Sequence, residues 1–480
     1  MSFTRRKFIQ NAALVAAGSL LIPRHLVATP YVAKPKHVLI LGAGFAGLAA
    51  AYALHKQKIP FTILEARNRI GGRVHSFAPK EADGLVVELG AEWIGLSHER
   101  VLALCEEFKL PLLNNQFKTH VLYQGKYTGR DSYKFSEEWQ PKWNQIMKAY
   151  AADDKKLSSA QMEKKYGQMD WWRFLVNNGC ADRDLDFREL GDSTDFGESI
   201  RQVSALAALG EYYENEKYNA EAAGNGRMQT SNQMDYKIVG GNGKLAGVLA
   251  DTIGRSNIRI GSKVITVEQG EKVKISSESG ETFTGDKLIC TVPTFALRQI
   301  NWKPGLPASL RNAIDELQYG RINKHPVLFS KRFWKDEDFD MLTDMPAHYF
   351  YHATKSQSGD KGILISYTIG DKAAVVGNNA ANDAWNLSMI NDALQPAFGD
   401  ISKLAEKQWN YYWGNDQFSK GAYAIYGPGQ WKRVLNAFQL PHLHTHFAGE
   451  HLADWQGFME GAIETGEAAV EAILQKVIKK

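Results

Sequence analysis

The chain has 480 residues, 44% of them hydrophobic, and a formal charge of +4. That length and apolar content support a large core divided over two intertwined domains and exclude a disordered polymer. The first 33 residues hold Arg5, Arg6, Lys7 and Arg24 and no acid, so the remainder carries no net charge and offers no basic face for nucleic acid. Cys105, Cys180 and Cys290 stand too far apart for a CxxC metal site or a disulfide framework and read as buried small hydrophobes.

At the start, FTRRKFIQNAALVAAGSLLIP joins a cationic stretch to an apolar run over residues 12–22. The run is too short to span a bilayer and predicts a signal peptide over residues 1–33, with no stable membrane span. Paired Arg5 and Arg6 followed by Phe8 resemble the twin-arginine translocation signal, whose pathway carries folded proteins. The resemblance implies the twin-arginine export machinery as a partner, a periplasmic or exported destination, and a cofactor inserted before transport. The cleavage point is not legible.

Next, HVLILGAGFAGLAAAYALHKQKIPFTILEA predicts a strand, a glycine turn, an Ala-rich helix and a second strand, a βαβ unit. Gly42, Gly44 and Gly47 have the GxGxxG spacing. The first permits a tight turn, the second a close backbone approach to a pyrophosphate, and the third close packing of helix on strand. Ala46 lies in the first helical turn, whose free amides favour phosphate. Glu65 closes the second strand where an acid accepts ribose hydroxyls, and an acid there disfavours a ribose phosphate such as that of NADP.

The following stretch, EARNRIGGRVHS (residues 65–76), resembles the signature of the flavin-containing amine oxidase family. The resemblance implies that Glu65, Ala66, Arg67, Gly71, Gly72 and Arg73 lie against FAD. Guanidinium forks neutralise phosphate charge, and residues without side chains let backbone close over it. VVELGAEWIG (residues 86–95) is similar to the family segment beside the isoalloxazine ring and implies that role for Gly90, Ala91, Glu92 and Trp93. YKIVGGNGKLAGVLADTI, from Tyr236, resembles the return to the cofactor domain. After it, residues 258–293 alternate in short runs with glycine turns and predict β-hairpins ending in a buried strand; by resemblance Val264 meets the adenine.

Lys324 stands just before the apolar run HPVLF, where an ammonium is costly without a partner. Its spacing to Trp334 resembles the family's catalytic lysine region, which implies that Lys324 faces flavin N5 and holds a water there. In WNYYWGNDQFSKGAYAIYGPGQW the resemblance implies that Trp413 packs on the flavin and Tyr423 walls the substrate pocket. Ala422 stands where some members carry a cysteine linked to FAD, so the FAD is expected to be non-covalent. The closing FAGEHLADWQGFMEGAIETG (residues 447–466) resembles the family's last FAD motif. Gly449 ends a strand, Glu450 meets the cofactor, and a helix begins near Gly457 whose amides would stabilise charge on the reduced ring. Trp455, Phe458 and Met459 fall beside that edge, with Phe458 and Tyr423 the expected aromatic pair around the substrate.

Taken together, the resemblance implies an α/β fold with a Rossmann-like FAD-binding domain (34–114, 233–300 and 431–480) and an interleaved α+β substrate-binding domain (115–232 and 301–430). It implies an FAD-dependent amine oxidase or dehydrogenase that moves hydride from the amine α-carbon to flavin N5, leaving an imine that hydrolyses to an aldehyde or ketone. Oxygen or a periplasmic cytochrome or quinone would take the electrons. Trp93 stands where an L-amino-acid oxidase would offer an arginine to the substrate carboxylate, so a small-molecule amine without that group is expected. An L-amino-acid oxidase is the alternative, and a non-catalytic FAD-binding interaction protein the alternative of another class.

Overall fold

A computed structural model describes residues 34–130, 134–224 and 235–475. The leader, with Arg5, Arg6 and Phe8, lies outside the described residues.

A five-stranded parallel sheet runs in the order Thr445–Phe447, Lys287–Cys290, Val38–Leu41, Phe61–Leu64, Ile258–Arg259. Val38–Leu41 is apolar throughout because both of its faces are covered. Val38 and Ile40 face a core shared with the helices Phe45–Lys56, Gly243–Ile253 and Met459–Gln475. Leu39 and Leu41 face a second core with Val267, Ile275 and Leu310.

The helix Phe45–Lys56 is buried almost all round, which its alanines permit by bringing backbones together. A Cβ on Gly47 would collide with the Gly42 carbonyl oxygen, and one on Gly466 with that of Ala46. The last helix therefore lies directly on the first.

Over the other face lies a sheet ordered Thr282–Gly285, Val273–Ser277, Val264–Gln269, Asn301–Lys303. Asn301–Lys303 pairs there, and Leu306, Leu310 and Ile314 pack beneath Leu39 and Leu41. Residues 301–317 thus side with the cofactor half, and the boundary expected at 301 falls near 318. The cause is the apolar stripe of the helix Ala308–Glu316, which the parallel sheet buries.

The other half is built on an eight-stranded sheet with the order Ala405–Gln408, Ile322–Phe329, Gly362–Ile369, Tyr349–His352, Phe339–Thr343, Lys118–Tyr123, Lys126–Thr128, and with Tyr411–Tyr412 also on Ile322–Phe329. Helices between Trp139 and Gly224 form a separate aromatic core around Trp139, Trp143 and Trp171. The three cysteines are buried and unpaired. Among the described residues no helix is long and apolar enough to cross a membrane, and no group of histidine, cysteine or acidic side chains is arranged to hold a metal ion.

Candidate active site

One cavity of about 490 Å³ runs between the two halves. At its cofactor end stand Gly42, Gly44 and Ala46, at the start of a helix with no side-chain cap and no acid in its first turn. Its first amides are therefore left for a ligand, and an anion suits them. Gly47 does not line the cavity; it is the packing glycine beneath the turn. Gly72, at φ +60°, closes on Gly44, where a Cβ would reach 3.1 Å from the Gly44 Cα.

Glu65 ends its strand with the carboxylate pinned by the Ala43 N–H at 2.7 Å and the Arg67 N–H at 2.8 Å. Ala66 and Val264 line the cavity nearby. Arg67 and Arg73 line it too, but each is already paired. Arg67 donates to Asp416 and to Ser419 Oγ at 2.9 Å. Arg73 donates to Glu450 at 2.5 Å and to the Ala422 carbonyl at 2.7 Å. Glu450 also accepts from the Gly457 N–H at 2.9 Å, so it braces the turn before the last helix. Instead of bare cations awaiting phosphate, these are ion pairs that fix backbone around the cavity.

Lys324 is 2% exposed. Its strand lies between Gly362–Ile369 and Tyr411–Tyr412, opposite Tyr367 and Tyr411. All three ammonium protons find acceptors: the Glu88 carbonyl at 3.0 Å, the Gly90 carbonyl at 2.9 Å and Glu92 Oε2 at 3.3 Å. The lysine thereby clamps the GAEW segment that lines the cavity. Glu92 also accepts from Lys237 at 3.2 Å and from the Tyr351 hydroxyl at 2.6 Å. Burial works against both charges. In Lys324 burial outweighs the attraction of Glu92 and Glu88 and lowers the pKa. In Glu92 the two lysines outweigh burial and hold the carboxyl low. Glu88, also buried and repelled by Glu92, is pushed up to about 7.

Trp93 lies 5.4 Å from the Lys324 ammonium and meets Tyr367 edge-on at 6.4 Å. Trp413 is held by its indole N–H on the Leu89 carbonyl at 2.8 Å. Tyr423 donates to the Asp195 carbonyl at 3.0 Å, and burial raises its pKa well above 10, which keeps the phenol neutral. Gly90, Ala91, Ala422, Gly449, Gly457, Phe458 and Met459 complete the expected set on the cavity wall. Trp455 does not reach it. That ring packs behind Phe458 at 5.9 Å and against His98 at 4.9 Å. Among the described residues lining the cavity there is neither cysteine nor histidine.

A model of the family described as flavin containing amine oxidoreductase matches residues 45–474. The chain belongs to that family. This amine oxidase is 25% identical to human amine oxidase [flavin-containing] B over 465 residues, covering 92% of this chain and 86% of the human one. It is 27% identical over 466 residues to the Bacillus subtilis protein YobN, named as an L-amino-acid oxidase, covering 90% and 93%. Among solved structures it shares its fold with cyclohexylamine oxidase from Brevibacterium oxydans, at a TM-score of 0.77 and 20% identity over 93% of this chain and all of that one. Putrescine oxidase bound to putrescine gives the same TM-score and identity, covering 92% and 99%.

The cofactor of the enzyme is FAD, and the cavity fits it. The uncapped helix start, the glycine turns and the buried acid at the strand end suit a dinucleotide. With no cysteine or histidine on the wall, FAD is held without a covalent bond.

Sequence reasoning missed Lys237, Tyr351 and Asn242, which position the site from behind. Asn242 donates to the Ala91 and Glu92 carbonyls at 3.1 and 2.7 Å. Lys237 had a signal, since it too is a lysine inside an apolar strand, YKI. Asp195, Glu211, Asp340, Tyr349 and Tyr367 also line the cavity, and no motif marked them.

Proposed function

We propose that the enzyme oxidises amines that lack an α-carboxylate, in the periplasm or beyond after twin-arginine export, with oxygen or a periplasmic cytochrome or quinone taking the electrons. The observation that carries the substrate reading is the placement of the arginines. Among the described residues lining the cavity, Arg67 and Arg73 are the only ones, and both are committed to carboxylates at the cofactor end. A substrate carboxylate would meet no guanidinium, and a bidentate clamp has no ready substitute.

FAD, when bound, supplies the two-electron chemistry. The chain's residues supply the setting. Tyr423, Tyr367 and Phe458 present rings that strip water from an amine and favour its uncharged form, whose lone pair must be free when the neighbouring carbon is oxidised. Lys324 holds the wall segment of Gly90 and Glu92 in one geometry.

The test is anaerobic mixing of the FAD-loaded enzyme with benzylamine, cyclohexylamine, L-leucine and L-phenylalanine, followed by admission of oxygen. Bleaching of the flavin by the two amines and not by the amino acids is expected. Bleaching by the amino acids with release of 2-oxo acids would select the L-amino-acid oxidase, and a flavin that no compound bleaches would leave only an FAD-binding module. Slow recovery of colour in oxygen would point to a different acceptor.

A further inference from the structure

Tyr423 is held in place by a loop from the helical part of the chain. Its hydroxyl donates to the Asp195 carbonyl at 3.0 Å, just before the helix Asp182–Phe196 ends. The turn that follows is Gly197, at φ +70°, and a Cβ there would stand 2.6 Å from the Tyr423 hydroxyl oxygen. Only a residue without a side chain lets the loop come this close. On its other side Tyr423 is anchored through backbone: the Gly320 N–H donates to the Tyr423 carbonyl at 2.8 Å, and the Ala422 N–H donates to the Gly320 carbonyl at 2.9 Å. The loop and the turn at Gly320 thus grip the two ends of one residue.

The next residue along each grip joins the two. Glu198 follows Gly197, and Arg321 follows Gly320. Arg321 donates to both carboxylate oxygens of Glu198, from Nε at 2.7 Å and from Nη2 at 2.8 Å, and its Nη1 reaches Asp371 at 2.7 Å. A two-point contact of this kind fixes orientation as well as separation. Glu198 is 4% exposed, and a Cβ on Gly370 would come within 2.6 Å of its Oε1, so the carboxylate sits in a fitted seat. Arg321 is set from the same side, since the Gly370 N–H donates to the Arg321 carbonyl at 2.8 Å. Neither Glu198 nor Arg321 lines the cavity. An ion pair one residue behind each contact to Tyr423 governs the distance between those contacts without meeting a substrate.

Resting on the amine-oxidase reading of this site, we infer that Arg321 and Glu198 are a positioning pair for the amine. By joining the 195–198 loop to the turn at Gly320 they keep the Tyr423 hydroxyl on the Asp195 carbonyl, and so keep the ring in the place from which it walls the substrate. Lys324 and the segment 90–92 are held by contacts of their own, so loosening the pair falls on amine binding rather than on the oxidation that follows it.

The experiment follows anaerobic reduction of the flavin by benzylamine and cyclohexylamine in the FAD-loaded wild type, Glu198→Gln, Arg321→Gln and the double variant. In each single variant the amine concentration that gives half the limiting reduction rate should rise about tenfold, with the limiting rate within about threefold of the wild type. Because the two side chains act as one pair, the double variant should match the singles rather than multiply them. It also leaves neither member of the pair as an unmatched charge, so it decides the question where a single variant does not fold. In Tyr423→Phe, whose ring offers the loop no hydroxyl, adding Glu198→Gln should shift half-saturation by less than about twofold. Half-saturation unchanged in the double variant overturns the inference, and so does a shift that persists undiminished in Tyr423→Phe or one seen only with loss of the flavin spectrum. If the amines reduce the wild-type flavin and the variants behave as it does, only this inference falls. If neither amine reduces the wild-type flavin, the amine-oxidase reading fails and takes this one with it.

Discussion

Glu92 is 1% exposed and answers to three donors at once: Lys237, Lys324 and the Tyr351 hydroxyl. Neutralising it leaves two ammonium groups in the same dry space with no shared counterion. Glu92→Gln should therefore cost about 3–5 kcal/mol in unfolding free energy, the usual penalty for breaking a buried pair from one side. Denaturant unfolding of the FAD-loaded protein measures it, and a loss below about 1 kcal/mol would show that water reaches the pair. The two lysines differ in how readily the chain discloses them. Lys324 stands out because HPVLF follows it, and Lys237 carries the same mark within YKI, so both are legible from local hydropathy. Asp195 and Asp340 are not, because what surrounds an aspartate on the cavity wall is decided by the fold. Tyr349 and Thr119, which donate to Asp340, reach it from other strands, a placement that no window of sequence contains.

At the level of elements, the opening helix and the closing helix form one layer although about 400 residues separate them. The first was legible from GxGxxG between two apolar strands, and the last from the strand, glycine and helix order of its motif. Their contact was not, since it depends on one glycine meeting one carbonyl. A Cβ on Gly466 would strike the Ala46 carbonyl, and Ala46 itself lines the cavity. Gly466→Val should therefore destabilise the protein by about 1–3 kcal/mol through overpacking and weaken FAD binding in the same variant, because the helix start has to move to make room. Gly247 provides the contrast. It lies inside the helix Gly243–Ile253, and nothing stands within 4 Å of where its Cβ would be. Gly247→Ala should raise stability by about 0.5–1 kcal/mol with FAD affinity unchanged. Calorimetry and flavin titration on the two variants separate crowding at one helix pair from a general intolerance of added methyl groups.

For the whole molecule, interleaving was readable wherever a cofactor motif returned, at Tyr236 and again after residue 430. Residues 301–317 pack with the cofactor half, a placement the sequence does not disclose because the amphipathic helix announces a buried face without saying which sheet buries it. The same extensive burial sets how stability responds to pH. Burial depresses His98 and His352 to about 3 and His325 and His451 to about 4, against 6.5 when unfolded. These groups bind fewer protons folded than unfolded, so their contribution is complete above pH 6.5 and is lost as pH falls toward 4. Burial has the opposite consequence for Glu88 and Glu460, both raised from 4.5 to about 7. They bind more protons folded, so their contribution is complete below pH 4.5 and is lost as pH rises toward 7. The two sets can be told apart by variants measured against the wild type at each pH. His325→Gln keeps an amide where His325 meets Gln408, and its melting temperature should gain on the wild type steadily as pH falls from 6.5 to 4. Glu88→Gln, which retains an acceptor for Ser76 and the Asn242 N–H, should gain as pH rises from 4.5 to 7. Parallel pH profiles for either variant and the wild type would mean that the group titrates as it does in the unfolded chain, and that the interior around it is wetter than its burial implies.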